Sequence, residues 1–216
     1  MNRSFGLDEL RILLLALRWT ILLAAIAFVG GGLGGAIIAT LRVAPSRALR
    51  LAAATYIRLL QGLPLLILLF LVFFGANMIG IRTDAWTAAA IAYALYGSAF
   101  LAEIWRGCIQ AIPSGQWDAA TALALPFHLR LRLVIAPQAA RIALPPTVGF
   151  LVQLLKSTSL ASVIGFTELT RAAQMINNVT FQPLIVFSLV AGLYFMLCWP
   201  LSLLSQRLEE RLRYVR

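Results

Sequence analysis

The sequence is poor in the residues that build most catalytic and metal-binding centres. Its 216 residues include one histidine, two cysteines and eight acidic residues. The single histidine, His128, excludes a metal cluster built from several histidines, and Cys108 and Cys198 form no CxxC pair, which argues against a disulfide or a metal site. We find no nucleophile–base pattern and no phosphate-binding loop, so we expect this chain not to be an enzyme.

Charged residues are also scarce, and long apolar runs take their place. Only 12% of the residues are charged, whereas 61% are hydrophobic and the mean hydropathy is +0.89. Residues 19–41, 59–81 and 85–102 carry no charge. A bilayer core of about 30 Å takes about 20 residues of helix, so each run is long enough to cross. The runs are continuously apolar and not alternating, which favours helices over a β-barrel.

A fourth apolar segment is interrupted by the only lysine. It begins near Ile142 and reaches Lys156 after 14 uncharged residues. That is about 21 Å of helix, too short to cross, so we expect the span to continue past Lys156. The sequence predicts an all-α polytopic membrane protein with five transmembrane helices in a single domain, residues 1–216. The predicted spans are about 19–41, 55–79, 85–104, 138–163 and 180–205.

The arrangement of charge predicts the orientation of these spans. The first connection is rich in arginine without any acid, the second is balanced by Arg82 and Asp84, and the N-terminal segment is balanced as well. The positive-inside rule then places the N-terminus outside and the C-terminus in the cytoplasm, which requires an odd number of spans. The same distribution favours a membrane protein over a nucleic-acid-binding one. The charges counted are Arg3, Arg11, Asp8 and Glu9; Arg42, Arg47, Arg50 and Arg58; and Arg207, Arg211, Arg213, Arg216, Glu209 and Glu210.

The first apolar run contains the glycine-rich stretch "GGGLGG". Gly30 and Gly34, and likewise Gly31 and Gly35, are four residues apart. Small residues at this spacing let two helices approach closely in lipid. Two interpretations are open: packing within the chain, or contact with a second subunit.

The longest polar segment of the chain contains the stretch "GQWDAATALALP", residues 115–126. Pro113 and Gly115 should end the preceding helix, and residues 116–123 are rich in alanine, which favours a new one. We expect Asp118 in its first turn, where the helix dipole favours a carboxylate, and Pro126 at its end. Such a short helix at the cytoplasmic surface is either a docking face for another protein or a loop that rests on lipid headgroups.

This segment resembles a known motif. "GQWDAATALALPFHLRLRLVIAPQAARIALPP" is similar to the EAA loop in permease subunits of bacterial ABC importers, in their polar amino-acid branch. That loop reads E-A-A, three residues, G, nine residues, I-x-L-P. The chain departs from it with aspartate at position 118, alanine at 124 and alanine at 136. Residues 61–70, 103–116 and 156–176 also resemble that branch, so the resemblance covers nearly the whole chain.

The resemblance implies the transmembrane subunit of an ATP-driven amino-acid importer in the bacterial inner membrane. Its cytoplasmic loop, about 106–137, would carry a coupling helix that docks on an ABC ATPase. The implied partners are an ATPase dimer, a second identical or similar permease subunit, and a periplasmic or lipid-anchored amino-acid-binding protein, and no nucleic acid. ATP and Mg²⁺ would bind to the ATPase, with no cofactor on this chain. The implied coupling residues are Gly115, Gln116, Asp118, Ala119, Ala120 and Ala124.

Polar residues in or near the spans are candidates for the translocation path or its gates. Lys156 could contact a substrate carboxylate or hold two helices together, and the resemblance favours a structural or gating role. The spacing of Glu103 and Arg106, and of Glu168 and Arg171, predicts two ordinary surface ion pairs. The alternatives are an inner gate for the first pair, and contact with a binding protein or an entering amino acid for the second. The candidates are Gln61, Glu103, Arg106, Lys156, Thr158, Ser159, Glu168 and Arg171.

Two rival functions remain open at the level of the sequence. A self-sufficient carrier or channel commonly shows an internal repeat or carboxylates along a proton path. No internal repeat is evident, and the interior of the first two spans holds no acid. A purely structural subunit of a transport assembly is the other alternative.

Overall fold

The structure is a computed structural model that describes residues 5–213. These residues form helices joined by short loops, and no β-strand occurs among them, so the all-α prediction is confirmed. Arg3 and Arg216, which entered the predicted charge pattern, lie outside the described residues. The α-helices are α1 Leu7–Val43, α2 Arg47–Gln61, α3 Leu65–Phe70, α4 Ala76–Met78, α5 Ala85–Gln110, α6 Ser114–Ala122, α7 Phe127–Leu129, α8 Ala136–Ser157, α9 Leu169–Thr180 and α10 Pro183–Arg213.

The glycine-rich stretch of α1 packs against α5. A Cβ atom added at Gly31 would lie 3.0 Å from the backbone of Gly97, and one added at Gly35 would lie 3.1 Å from the Cβ atom of Leu101. Any side chain at these positions would therefore push the two helices apart. Residue numbers rise together along the contact, so α1 and α5 run in the same direction. Of the two interpretations of the glycine pattern, the structure supports packing within the chain.

The second span is broken and does not form the continuous helix predicted at 55–79. α2 ends at Gln61, and α3 starts after Pro64, which stands at its N-cap. The two segments meet at a bend of 99°. Proline disfavours helical geometry in the residue before it, which explains the break. A π-helical turn, Leu71–Gly75, then joins α3 to α4. Four helices of the described chain are long and apolar enough to cross a membrane, or five if this bent pair counts as one.

The fourth span begins earlier than the predicted residue 138. It starts with α7 and passes through a π-helical segment, Arg130–Ile135, into α8. Pro126 stands at the N-cap of α7 in an extended conformation, and the helix begins directly after it. Beyond Ser157 the helix tightens into a 3₁₀ helix, Thr158–Ile164, which ends at Gly165 with a φ of +87°. The chain therefore continues past Lys156 in helical form.

A short helix that we did not predict, α9, precedes the last span. Its buried residues recur every three or four positions, which packs one side of α9 against the bundle. The connections of the bundle alternate between two ends. We call the end with residues 44–46 and 111–126 the coupling end, after the predicted coupling helix, and the end with residues 79–84 and 165–182 the outer end, after the predicted orientation.

Candidate functional site

Helix α6 is the predicted short helix of the coupling end, with shifted bounds. It begins at Ser114 after Pro113 and ends at Ala122, two residues earlier at its start than the predicted 116. Asp118 consequently lies in the second turn and not in the first. The expected interaction of its carboxylate with the helix dipole is correspondingly weaker, because that effect is confined to the first turn.

The end of α6 is formed by a residue in a left-handed conformation. Ala124 has a φ of +55°. Its N–H donates to the Thr121 carbonyl at 2.8 Å, and the Leu125 N–H donates to the Ala120 carbonyl at 3.2 Å. These two bonds make a Schellman motif, whose left-handed position is usually glycine. The prediction that Pro126 ends α6 is therefore wrong. Ala124 itself ends the helix, at the position where the EAA loop has glycine.

Three side-chain contacts fasten α6 to the start of the fourth span. The Gln138 amide donates to Gln116 Oε1 at 3.2 Å, and Arg130 Nη1 donates to Thr121 Oγ1 at 2.6 Å. The rings of Trp117 and Phe127 stack with centroids 6.3 Å apart. The short helix is thus joined to the first turns of the fourth span, from α7 to the start of α8, at both of its ends.

The predicted coupling residues divide into two groups. Gly115, Gln116, Asp118, Ala119 and Ala124 are exposed. Ala120, by contrast, is 2% exposed. Its small side chain serves the packing of α6 against the protein itself, which removes it from the docking face that the sequence suggested.

The predicted ion pair near the coupling end of α5 is present. Arg106 Nε donates to Glu103 Oε2 at 2.9 Å, and Arg106 Nη2 lies 2.5 Å from Glu103 Oε1, so the pair is bidentate. Arg106 also donates to the Gln110 side chain. Both charged side chains are partly buried, which holds them in one geometry.

The predicted surface ion pair between Glu168 and Arg171 is wrong. Glu168 is completely buried and caps α9: its carboxylate accepts hydrogen bonds from the backbone N–H groups of Thr170 and Arg171, both at 2.9 Å. Tyr194 of α10 donates to it at 2.9 Å, and Thr20 of α1 lies 3.4 Å away. Burial raises the pKa of the Glu168 carboxyl, and these hydrogen bonds oppose that rise. A sequence pattern cannot separate this cap from a helical i,i+3 pair.

The remaining path candidates do not form one cluster. Gln61 donates to the Ala99 carbonyl at 3.4 Å, at the end of α2. Lys156 is exposed at the end of α8. Thr158 and Ser159 donate back to the carbonyls of Leu155 and Lys156 at 2.7 and 2.9 Å, an arrangement that favours the change to a 3₁₀ helix. Among the described residues, no hydrogen bond joins Gln61 to this group.

Several polar links between spans were not identified from the sequence. The hydroxyls of Tyr56 and Ser98 lie 2.6 Å apart and join α2 to α5. Tyr93 donates to the Ser157 carbonyl at 2.5 Å, and Trp105 donates to Thr147 at 2.9 Å, which joins α5 to the fourth span. The signal available was the presence of tyrosine and tryptophan inside an apolar run, since their polar atoms need a partner when buried.

Comparison with known proteins gives the chain a family. Residues 31–214 match the family described as the binding-protein-dependent transport system inner membrane component. The probable amino-acid ABC transporter permease protein YckA of Bacillus subtilis (strain 168) is 33% identical over 210 residues, which cover 97% of this chain and 93% of that protein. The L-cystine transport system permease protein TcyB of the same organism is 36% identical over 199 residues, covering 91% and 85%.

A solved structure agrees with these relatives. The crystal structure of an amino acid ABC transporter with histidines superposes with a TM-score of 0.87 at 34% identity, and the match covers 94% of this chain and 95% of that one. The chain therefore belongs to the family of binding-protein-dependent transport system inner membrane components, as a multi-pass permease subunit of an ABC transporter that works with an ATPase and a binding protein and is not itself catalytic.

Proposed function

We propose that this chain forms the translocation path of an ATP-driven importer for an amino acid. The relatives named above are described as amino-acid and cystine permeases, and the solved structure as an amino acid transporter, which supports an amino acid as the substrate. The complex would contain two permease subunits, an ATPase dimer that binds ATP and Mg²⁺, and an external amino-acid-binding protein. This chain would bind no cofactor of its own.

The observation that carries the proposal is the attachment of α6. The helix is a separate surface element whose Asp118 and Ala119 point away from the bundle. Two hydrogen bonds, Gln138 to Gln116 and Arg130 to Thr121, join the helix to the first turns of the fourth span. An ATPase bound to the exposed face of α6 would therefore move the fourth span whenever it moved the helix.

The charges of the two ends support an orientation with the coupling end in the cytoplasm. Among the described residues the coupling end has ten arginines and four acids, whereas the outer end has four of each; Arg58, near the end of α2, and Lys156, near the end of α8, are counted with neither end. Positive residues accumulate on the cytoplasmic side of membrane proteins. The coupling-end residues are Arg42, Arg47, Arg50, Arg106, Arg130, Arg132, Arg141, Arg207, Arg211 and Arg213 with Glu103, Asp118, Glu209 and Glu210; the outer-end residues are Arg11, Arg18, Arg82 and Arg171 with Asp8, Glu9, Asp84 and Glu168.

Transport then follows from differential binding. ATP favours the closed ATPase dimer, which draws the two α6 helices of the complex together and opens the path outward. Hydrolysis releases this state and returns the path to the inward-facing form. A switch of this kind requires that each partner binds one conformation more tightly than the other. We assign the Glu103–Arg106 pair, about one turn from the coupling end of α5, to the inner gate.

Reconstitution of the complete complex in lipid vesicles tests the proposal. The measurement is ATP hydrolysis and uptake in the presence of the binding protein and each amino acid in turn. We expect at least one amino acid to stimulate both. Ala119→Trp should reduce this stimulation at least about tenfold, since a loss of about 1.4 kcal/mol in coupling has that effect.

The matched control is Ala119→Ser, which keeps the side chain small and should retain stimulation. Because Ala119 is exposed, neither variant should alter folding. Full stimulation in Ala119→Trp would contradict the docking role of α6. A complex that couples normally but responds to no amino acid would instead contradict the proposed substrate.

A further inference from the structure

An open groove on the exposed side of α1 combines one cation with an apolar wall. It is an open groove of about 570 Å³ at the outer end, lined by Arg18, Trp19, Ile21, Leu22 and Ala25. Leu22 and Ala25 follow Arg18 at intervals of four and three residues, so they continue below it on one face of the helix. Arg18 therefore lies at one end of the groove, and apolar side chains extend from it along about 10 Å of the helix.

The depth of this groove matches the boundary between headgroups and hydrocarbon. Arg18 directly precedes the uncharged run 19–41, which is the membrane-crossing part of α1. Trp19 meets Trp86, in the first turn of α5, with ring centroids 5.8 Å apart in an edge-on geometry. Tryptophan is enriched at the level of the lipid headgroups. Two helices therefore place aromatic rings at the same interfacial depth beside the groove.

The guanidinium of Arg18 lacks a carboxylate partner in the described chain. It lies over the ring of Trp19, with 5.1 Å from its central carbon to the ring centroid, and the side chain is exposed. The other acids of the outer end are already engaged. Glu168 and Glu9 are buried, Asp8 has an interaction of its own, and Asp84 caps α5. Asp8 and Asp84 are nonetheless exposed, so the test has to distinguish a lipid from a second copy of this chain.

We propose that this groove binds an anionic glycerophospholipid of the leaflet at the outer end. The phosphate would accept hydrogen bonds from the Arg18 guanidinium, which has donors arranged to meet a phosphate in pairs. The start of an acyl chain would lie along Ile21, Leu22 and Ala25. The Trp19 ring fixes the guanidinium at the headgroup level by its cation–π contact. The charge of Arg18 distinguishes this groove from the uncharged groove on α10 that is lined by Pro183, Leu184, Phe187, Ser188 and Ala191.

Native mass spectrometry of the purified transporter complex tests the proposal, with phosphatidylglycerol and phosphatidylcholine added at equal concentration. We expect preferential retention of phosphatidylglycerol, and a loss of about fivefold in that preference in Arg18→Gln, the effect of about one arginine near an anionic surface. Arg18→Lys should keep part of the preference. Trp19→Leu should lower it less than Arg18→Gln does.

Arg11→Gln is the matched control, because Arg11 is an exposed cation on the same helix, about 10 Å farther from the hydrocarbon. It should leave retention unchanged, and all variants should elute as intact complexes. Equal retention of both lipids by the wild type, or equal loss in Arg11→Gln and Arg18→Gln, would overturn the proposal. Efficient cross-linking of two copies through a cysteine at Ile21, in a chain without Cys108 and Cys198, would assign the groove to a second subunit. None of these readouts depends on transport, so they stand or fall separately from the proposed function.

Discussion

The two short helices outside the spans, α6 at the coupling end and α9 at the outer end, are held in opposite ways. α9 has five buried residues, and the buried carboxylate of Glu168 caps its start while it accepts a hydrogen bond from Tyr194 of α10. α6 has one buried residue, Ala120, and its polar links to the fourth span are exposed. One helix is part of the core, and the other is a surface element fastened at its ends.

This difference suits different tasks. A helix of nine residues is marginal on its own, so α6 depends on the few contacts that fasten it and on whatever covers its exposed face. Such an element can follow a partner that moves. α9 instead ties α1 to α10, since the Leu169 N–H donates to Thr20 at 3.1 Å and Thr170 meets Tyr194 at 3.2 Å. We infer that α9 moves together with α1 and α10, whereas α6 can follow a bound partner.

The largest effect that this comparison predicts is the loss of stability when Glu168 is replaced. Glu168→Ala should lower the free energy of unfolding by about 3 kcal/mol, because it removes a helix cap and leaves buried donors unsatisfied. The two backbone N–H groups of α9 and the Tyr194 hydroxyl lose their shared acceptor. Thermal or denaturant unfolding of the purified chain in detergent, followed by circular dichroism, measures the change.

Glu168→Gln serves as its control. The amide oxygen can still accept from α9, so the loss should be smaller than for alanine. Unchanged stability in Glu168→Ala would show that the outer end is not held by this carboxylate, and the contrast with α6 would disappear.

The next effect concerns Arg130, which fastens the last turn of α6. Arg130→Ala should reduce amino-acid-stimulated ATP hydrolysis by about tenfold, the equivalent of about 1.4 kcal/mol. It should change stability by less than about 1 kcal/mol, since one partly exposed hydrogen bond contributes little. The measurement is the reconstituted assay of the proposed function, beside an unfolding curve.

Arg132→Ala provides the comparison variant, because Arg132 is exposed and two residues away. An equal loss of stimulation in both variants would point to the general charge of the coupling end. A large loss of stability in Arg130→Ala would show that α6 belongs to the core after all, as α9 does.

The sequence is sufficient for those features that repeat along the chain. Uncharged runs predict spans, glycines four residues apart predict a close helix contact, and the EAA-like segment predicts a short helix. The sequence does not say whether the partner of the glycine face is α5 or a second subunit. The features that it misses depend on contacts between distant residues. The carboxylate of Glu168 looks like half of an ion pair with Arg171 until Thr20 and Tyr194 surround it. Likewise, the break at Gly62–Pro64 falls inside a run that is apolar enough to be read as one helix.

The smallest predicted effect tests how α6 ends. Ala124 holds a φ of +55°, a conformation that costs an L-residue about 1–2 kcal/mol and costs glycine almost nothing. Ala124→Gly should therefore stabilise the coupling end by about 0.5–1 kcal/mol, after the greater freedom of glycine in the unfolded chain is subtracted. Ala122→Gly, two residues earlier and inside the helix, should have the opposite sign at about 1 kcal/mol.

The outer end supplies the reverse experiment. Gly165 has a φ of +87°, and a Cβ atom added there would meet nothing within 4 Å. Gly165→Ala should therefore destabilise the protein through backbone strain alone and not through a clash. Destabilisation by Gly165→Ala would show that strain at a left-handed residue is measurable in this protein. If Ala124→Gly then also destabilises the chain, the left-handed residue at position 124 is not a source of strain. The alanine at this position would then have to be explained by a partner that binds the exposed face of α6. The same unfolding curves, measured with the bound ATPase, would show whether this partner reverses the sign of the stability change caused by Ala124→Gly.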